Sequence, residues 1–515
     1  MWIILKKKLL LLVTLSLLVA LLCITTSCAS NENTNTKAST GLSFKEAGDS
    51  YCVNGIGTCT DTDIVIPSKY NGKPVTEIST NAFKGCTTIV SVTIPDSVTI
   101  IGYGAFSDCT SLISATISDS VTEMNGSAFS GCSSLVNVKL SKNANLGWHD
   151  FDGCTSLVSI EIPEGVKQIG GFQGCTSLEN VKIASSVQEM TDFCFMDCTS
   201  LKNVILPNGI KLIRNSVFEN CTSLESVTLP DSLTEIYQKA FLNCSSLKSI
   251  DFPNGLQSLQ GYAFQNCTSL TNVIIPDTVT NLGDVLFSGC TSLKSVVIGS
   301  SVEIIYGRTF QNCYSLETVI IPESVYRIDD AFEKCTNLVT IEIPATTWIL
   351  SEYMFRNCNK LAEIIFKGDS KYLTDPYLND WIPRYVLEIH NGESKIDKQG
   401  DWWFYTVDGV NYLIDYKGND TKPVLPESYN GEAYTIHSYA FYNHPDLTDI
   451  MISQNVTQIS GYAFFGCKEL TEIHYAGTTD QWKQIEFGPS WSTLYNSNFY
   501  IDVENIHCND GTIKN

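Results

Sequence analysis

A cysteine recurs in one frame thirteen times, at Cys86, Cys109, Cys132, Cys154, Cys175, Cys198, Cys221, Cys244, Cys267, Cys290, Cys313, Cys335 and Cys358, in steps of 21 to 23 residues. The unit that starts at Cys221 reads CTSLESVTLPDSLTEIYQKAFLN, and its neighbours repeat it with small changes. A fixed period of roughly 20–29 residues marks a solenoid, in which units too small to hold a core of their own stack and share one.

Within the unit, Ser226-Val227-Thr228-Leu229 alternates and reads as a short strand with Val227 and Leu229 inward. Pro230 cannot donate to a ladder and ends it. Leu233 and Ile236 form a second inward edge. Residues 237–243 read as one short helical or 3₁₀ turn, with Ala240 where turns crowd and Phe241 in the core. The predicted fold is a leucine-rich-repeat type solenoid of 23-residue units, a parallel β-sheet superhelix with short helical or 3₁₀ turns. Thirteen strands at strand–strand spacing would make a rod of about 60 Å.

The pattern L-x-x-V-x-I-P-x-S-V-x-x-I-x-x-x-A-F-x-x-C, as in residues 224–244 and 270–290, resembles the BspA-like leucine-rich repeat of bacterial surface proteins. It covers about residues 64–366 and 424–475. Ala115 and Ser118 depart from it, and the unit around residues 140–152 loses its second edge. The resemblance implies a secreted or surface-anchored protein that adheres to host proteins or other cells. It brings no catalytic residues.

All length variation falls between the strand end and the Phe, so one sheet is regular and the opposite wall is variable. The period breaks over 367–423, and Tyr429-Asn430-Gly431 through Ala440-Phe441 then repeats Tyr70-Asn71-Gly72 through Ala82-Phe83. The expected division is a signal segment at 1–28, a polar tether at 29–42 and an N-terminal cap with the first repeat at 43–85. The repeat array follows at 86–366 and a closing segment at 367–398. A second cap at 399–441, a short second array at 442–475 and a C-terminal cap at 476–515 complete it. One continuous solenoid with an insertion is the alternative.

Lys6-Lys7-Lys8 precede an apolar run over 9–24 and then Thr25-Thr26-Ser27-Cys28, which is secretory signal architecture. It resembles a bacterial lipoprotein signal, which implies a lipid on Cys28 and an envelope protein displayed at the surface, for example on an outer membrane. Thr25 stands where such signals usually carry Leu, so an ordinary cleaved signal and an uncleaved anchor stay open.

The formal charge of −22, with no later basic cluster, argues against nucleic acid. One Cys per turn makes a line rather than a converging metal site, so the repeated thiols read as a ladder of buried, reduced side chains. Cys52 and Cys59 lie outside the ladder, either free or bridged across the cap. No phosphate loop, zinc-protease or nucleophile-elbow motif is present, so no enzyme, cofactor or metal is expected.

Binding then falls to exposed positions. The outward strand residues are polar in early turns, whereas Ile274, Val297 and Ile320 make three successive apolar ones, a contact patch or simply strand-favouring residues. Glu179, Lys202, Glu225 and Lys248 alternate in sign as register-keeping pairs. Trp148, in the irregular 145–149 stretch, is either an exposed ligand anchor or a plug for the shortened turn. The leading expectation is a protein or cell-surface ligand. The alternative is a glycan, with Trp148, Trp402 and Trp403 as aromatic candidates.

Overall fold

The structure, a computed structural model, describes residues 37–351, 353–367, 386–390, 395–488 and 505–514. It is a β-solenoid in which most turns lay a short strand parallel to that of the turn before, with breaks in the ladder such as the strandless turn at 249–252. Ser226–Thr228 pairs with Asn203–Ile205, and Asn272–Ile274, Ser295–Val297 and Thr318–Ile320 pair in sequence, residue for residue. The second edge forms its own parallel ladder, for example Leu212–Ile213, Glu235–Ile236 and Ser258–Leu259. Val227, Leu233, Ile236, Ala240 and Phe241 are buried, and Leu229 is half-buried at the rim.

In the third wall, read from the sequence as a helical or 3₁₀ turn, alternate N–H groups make i→i−3 bonds, such as Leu242 N to Lys239 O at 3.0 Å, and the others leave the turn. Lys239 and Asn243 take left-handed conformations, with φ of 57° and 62°. The N–H groups of Phe241 and Asn243 donate onward to Ala263 and Gln265 of the next turn, at 2.8 Å each. A helix would spend those donors internally. Here they form a further inter-turn ladder, and the left-handed kink before each Cys explains why Asn, Asp or Gly so often stands there. Asn243 and Asn266 also donate from Nδ2 to the Asn one turn earlier, at 2.7 and 2.8 Å. Among the described residues the helix is Thr479–Trp482, closed by a capping box from Thr478 and Gln481.

Two side-chain columns fill the first array. Thirteen phenylalanines from Phe83 to Phe355 stack with centroids 5.0–6.1 Å apart and planes within 2–19° of parallel. Beside them runs the cysteine ladder. From Cys109 to Cys358 each Sγ–H donates to the carbonyl of the Phe one turn earlier, at 3.0–3.3 Å. The thiol therefore does more than fill space. It is a small side chain that also satisfies a buried carbonyl, which Ala or Val could not.

Ahead of the first array stands a hairpin, Ser43–Ala47 antiparallel to Ser50–Gly55, whose second strand runs parallel to Lys73–Ile78. The same device recurs later. Trp402–Val407 is antiparallel to Val410–Tyr416, which runs parallel to Tyr434–Ile436. Phe44 stacks on Tyr70 with centroids 3.9 Å apart, and Phe404 stacks on Tyr429 at 4.4 Å. A separate core, including Phe441, Phe464, Cys467 and Trp482, lies behind the second hairpin.

The irregular unit interrupts the second edge. The ladder through Glu123–Met124 stops there, and pairing resumes at Gln168–Ile169. Leu146 drops inward in place of a strand residue, and Asp150 is buried, accepting from Ala128 N at 3.2 Å and Gly147 N at 2.7 Å. The Gly147 bond takes up an N–H that a regular turn donates across the second edge, as Asn125 does to the Ile101 carbonyl at 3.0 Å.

Candidate functional site

Pleat geometry places the residue between the two inward strand positions on the outer sheet face. Parallel register then brings Ile274, Val297 and Ile320 side by side, as consecutive partners across three strands. Ile274 is 68% exposed and Ile320 61%, with Val297 half-buried between them. In the next outward row Ser295 Oγ donates to Asn272 Oδ1 at 2.6 Å, so an aliphatic strip lies along a hydroxyl and amide strip. Ile205 is also exposed, between Lys182 and Thr228 in the same row.

Not every outward position is open. Ile365, at the equivalent place in the last strand of the array, is buried, as is all of Glu363–Phe366. That end of the array is covered. Val339 and Ala362 pack against Tyr405 and Ile414 on the outer face of the second hairpin. Beneath lies an ion pair, Lys360 Nζ to Asp415 Oδ1 at 2.7 Å, with side chains 3% and 0% exposed, and Lys417 Nζ lies 2.8 Å from Asp415 Oδ2. Burial pushes the Lys360 ammonium below its usual range, against the pull of Asp415. Sequence reasoning missed this contact. Its signal was Lys360 itself, which stands where most units carry Ser.

The charged pairs form as the alternation suggests, Lys202 with Glu179 at 2.7 Å and Lys248 with Glu225 at 2.6 Å. They are exposed, and their part is to favour one register rather than to add much stability. Among the tryptophans, Trp148 is 64% exposed, so it does not plug the short turn; Leu146 does. Trp402 lies on Tyr416 with centroids 4.4 Å apart, and Trp403 is covered by Lys398 and Lys417 at 4.2 and 4.9 Å. Both are half-buried in these contacts, which leaves Trp148 the most exposed of the three aromatic candidates for a glycan face.

Cys52 and Cys59 are free thiols, and Cys52 Sγ donates to Glu77 at 3.5 Å. Burial pushes the ladder thiols up, Cys109 to about 12, which leaves them without thiolate character. Among the described residues no three His, Cys, Asp or Glu side chains converge on a metal position, and no helix is long and apolar enough to cross a membrane. Cys28, the expected lipid site, lies outside the described residues.

A family model described as the BspA type leucine-rich repeat region matches residues 57–171, 170–294, 257–380 and 434–509. Among solved structures, a leucine-rich repeat protein from Bacteroides ovatus shares 24% identity over 89% of this chain and 98% of its own, with a TM-score of 0.53. A leucine-rich cell surface protein from Faecalibacterium prausnitzii shares 25% identity over 70% of this chain and 99% of its own, with a TM-score of 0.44. No curated protein matches the chain. The first structure has the same stacked architecture, and the family model spans well over half the sequence. The chain belongs to the BspA-type leucine-rich repeat family.

Proposed function

We propose that this chain is a non-catalytic binding protein, displayed on a bacterial surface through a lipid on Cys28, that holds a host protein or another cell on the open sheet of its first array. The observation that carries this reading is the aliphatic strip of Ile274, Val297 and Ile320. Three register-matched aliphatic side chains on an open sheet gain by being covered, about 1.5–3 kcal/mol for each one fully buried. The adjacent Ser and Asn row supplies hydrogen bonds at the margin, the apolar centre and polar rim of a protein-binding surface.

The test is saturable binding of the purified chain to extracellular-matrix proteins and whole cells. Ile274→Asp combined with Ile320→Asp should weaken it at least about tenfold, since a charge in a desolvated contact is unpaired. Thermal unfolding should stay unchanged. Undiminished binding by the folded double variant rejects the strip. Display is tested separately, by protease shaving of intact cells and mass spectrometry of the mature N-terminus. A start downstream of Cys28 without lipid removes the anchor.

A further inference from the structure

The variable wall holds a second feature, on a different side of the solenoid from the sheet strip. Twelve positions separate Leu229 from Phe241, but only ten separate Ile162 from Phe172. The shortened turn passes through Gly170-Gly171 beside a shallow notch of about 10 Å³, too small to enclose a ligand, whose rim carries Trp148, His149, Asp152, Asp192 and Phe193. Gly171, at φ +73°, lies so close to the preceding turn that a Cβ there would stand 2.3 Å from the Asp150 nitrogen, so only glycine fits.

The walls are aromatic and open. Trp148 is 64% exposed and Phe193 41%, and neither belongs to the core stack, which passes through Phe151, Phe172 and Phe195. Phe193 stands at the left-handed place that Lys239 holds in its own turn, at φ 62°, which is a regular feature of this wall. At the rim His149 Nδ1 pairs with Asp152, whose other oxygen accepts from Gln173 N at 3.0 Å. Tyr103, 53% exposed, extends the series. It flanks Gly126, where a Cβ would lie 3.9 Å from the Tyr103 ring and 2.9 Å from the Trp148 carbonyl. Tyr103, Trp148 and Phe193 thus occupy every second turn, roughly 10 Å apart along the axis at the spacing of stacked strands.

We infer that this wall is a subsite for a neutral oligosaccharide, lying along the rod with a sugar ring against Trp148. A pyranose has an apolar face of C–H groups and a rim of hydroxyls. Exposed rings beside carboxylate, imidazole and amide groups answer both. Asp152 and Asp192, on a chain of formal charge −22, disfavour phosphate and acidic sugars. The sheet strip, by contrast, offers no aromatic ring to stack upon, and the two sites are independent.

The test is native affinity electrophoresis of the full chain in gels containing xylan, β-glucan, mannan, starch or, as the acidic comparison, polygalacturonate. At least one neutral polysaccharide should retard the protein. Trp148→Ala should weaken that retardation about tenfold or more, Trp148→Phe should restore most of it, and Phe193→Ala should weaken it less. Ile274→Asp with Ile320→Asp should leave it unchanged, which separates this subsite from the protein-binding strip. Trp148 lies outside the core, so an unchanged melting curve for Trp148→Ala certifies the fold. Retardation by none of the neutral polysaccharides, by polygalacturonate alone, or equally with Trp148→Ala would overturn the inference.

Discussion

The two hairpins are the same device put to different uses. Their inner faces match: Phe44 opposite Val53 in the first, Phe404 opposite Leu413 in the second, each Phe stacked on a Tyr that precedes an Asn-Gly turn. In both, that Asn and Gly are left-handed, Asn71 and Asn430 at φ 48° and 51°. Their outer faces do not match. Lys45 and Asn54 are exposed, whereas Tyr405 and Ile414, at the same places in the register, are buried on the first array. Gly55 corresponds to Asp415, the buried partner of Lys360. The inner face closes a core. The outer face decides whether the hairpin ends in water or docks on a neighbour.

Substitution can break that difference. Asp415→Ala should have the largest effect, about 3–5 kcal/mol, because it strands Lys360 and Lys417 without their shared carboxylate. Guanidinium unfolding followed by tryptophan fluorescence would measure it, and a loss below about 1 kcal/mol would mean the pair does not hold the hairpin down. Tyr405→Ala should cost about 3 kcal/mol as a buried aromatic truncation, while Lys45→Ala at the matching exposed place should stay within about 0.5 kcal/mol. Equal losses would erase the distinction between the two faces.

Acid sharpens the comparison further. His437 follows the strand beside the second hairpin, where the first has Ser79. Burial pushes its imidazole down to about 4, against an ordinary value near 6.5. The unfolded chain takes up the proton first. Stability present above pH 6.5 is therefore lost as pH falls toward 4, by about 1–2 kcal/mol once the ring's partial exposure is allowed for. Asp150 in the first array behaves oppositely. Burial pushes its carboxyl up to about 6, so the folded state gains over the window from 6 down to 3.8. Thermal unfolding across pH 4–7 should show the second unit weakening first, and His437→Ser should flatten that loss. Smallest of all, Asn54→Ile should leave stability nearly unchanged while giving the first hairpin an exposed apolar face, read as concentration-dependent association in sedimentation.

The regular part of this architecture was legible because its causes are local. Alternation gave Ser226–Thr228 its strand, Pro230 its end, and the fixed Phe-to-Cys interval the two core columns. The turn before the Cys, read as helical or 3₁₀, keeps i→i−3 bonds such as Leu242 N to Lys239 O at 3.0 Å but alternates them with bonds to the next turn. Asn243 carried the better signal, as a residue that tolerates a left-handed backbone. Less legible were features set by strand pairing and by docking. Trp402 and Trp403 have the composition of a binding face, but their cross-strand partners Tyr416 and Lys398, with Lys417 beside them, pack on the rings. Ile365 follows the outward pattern and is buried, because the end of the array is covered and the repeat pattern says nothing about what covers it. The Trp148 notch is half-legible: the deletion is visible in the spacing, but the approach of Phe193 is not.

The inter-turn bonds carry a consequence for how such a chain can change length over generations. Nearly every ladder links a residue to a fixed position one unit away, from the backbone strands to the Cys109-to-Phe83 thiol bond. A whole unit gained or lost leaves each junction with partners of the same kind, so the interior of the array is a free register for duplication and deletion. The last two turns are not free. Val339, Lys360 and Ala362 are fitted to one hairpin, and shifting them by a unit would present that hairpin with the wrong side chains. Expansion and loss should therefore accumulate upstream of Cys335, with the docked end inherited as a block.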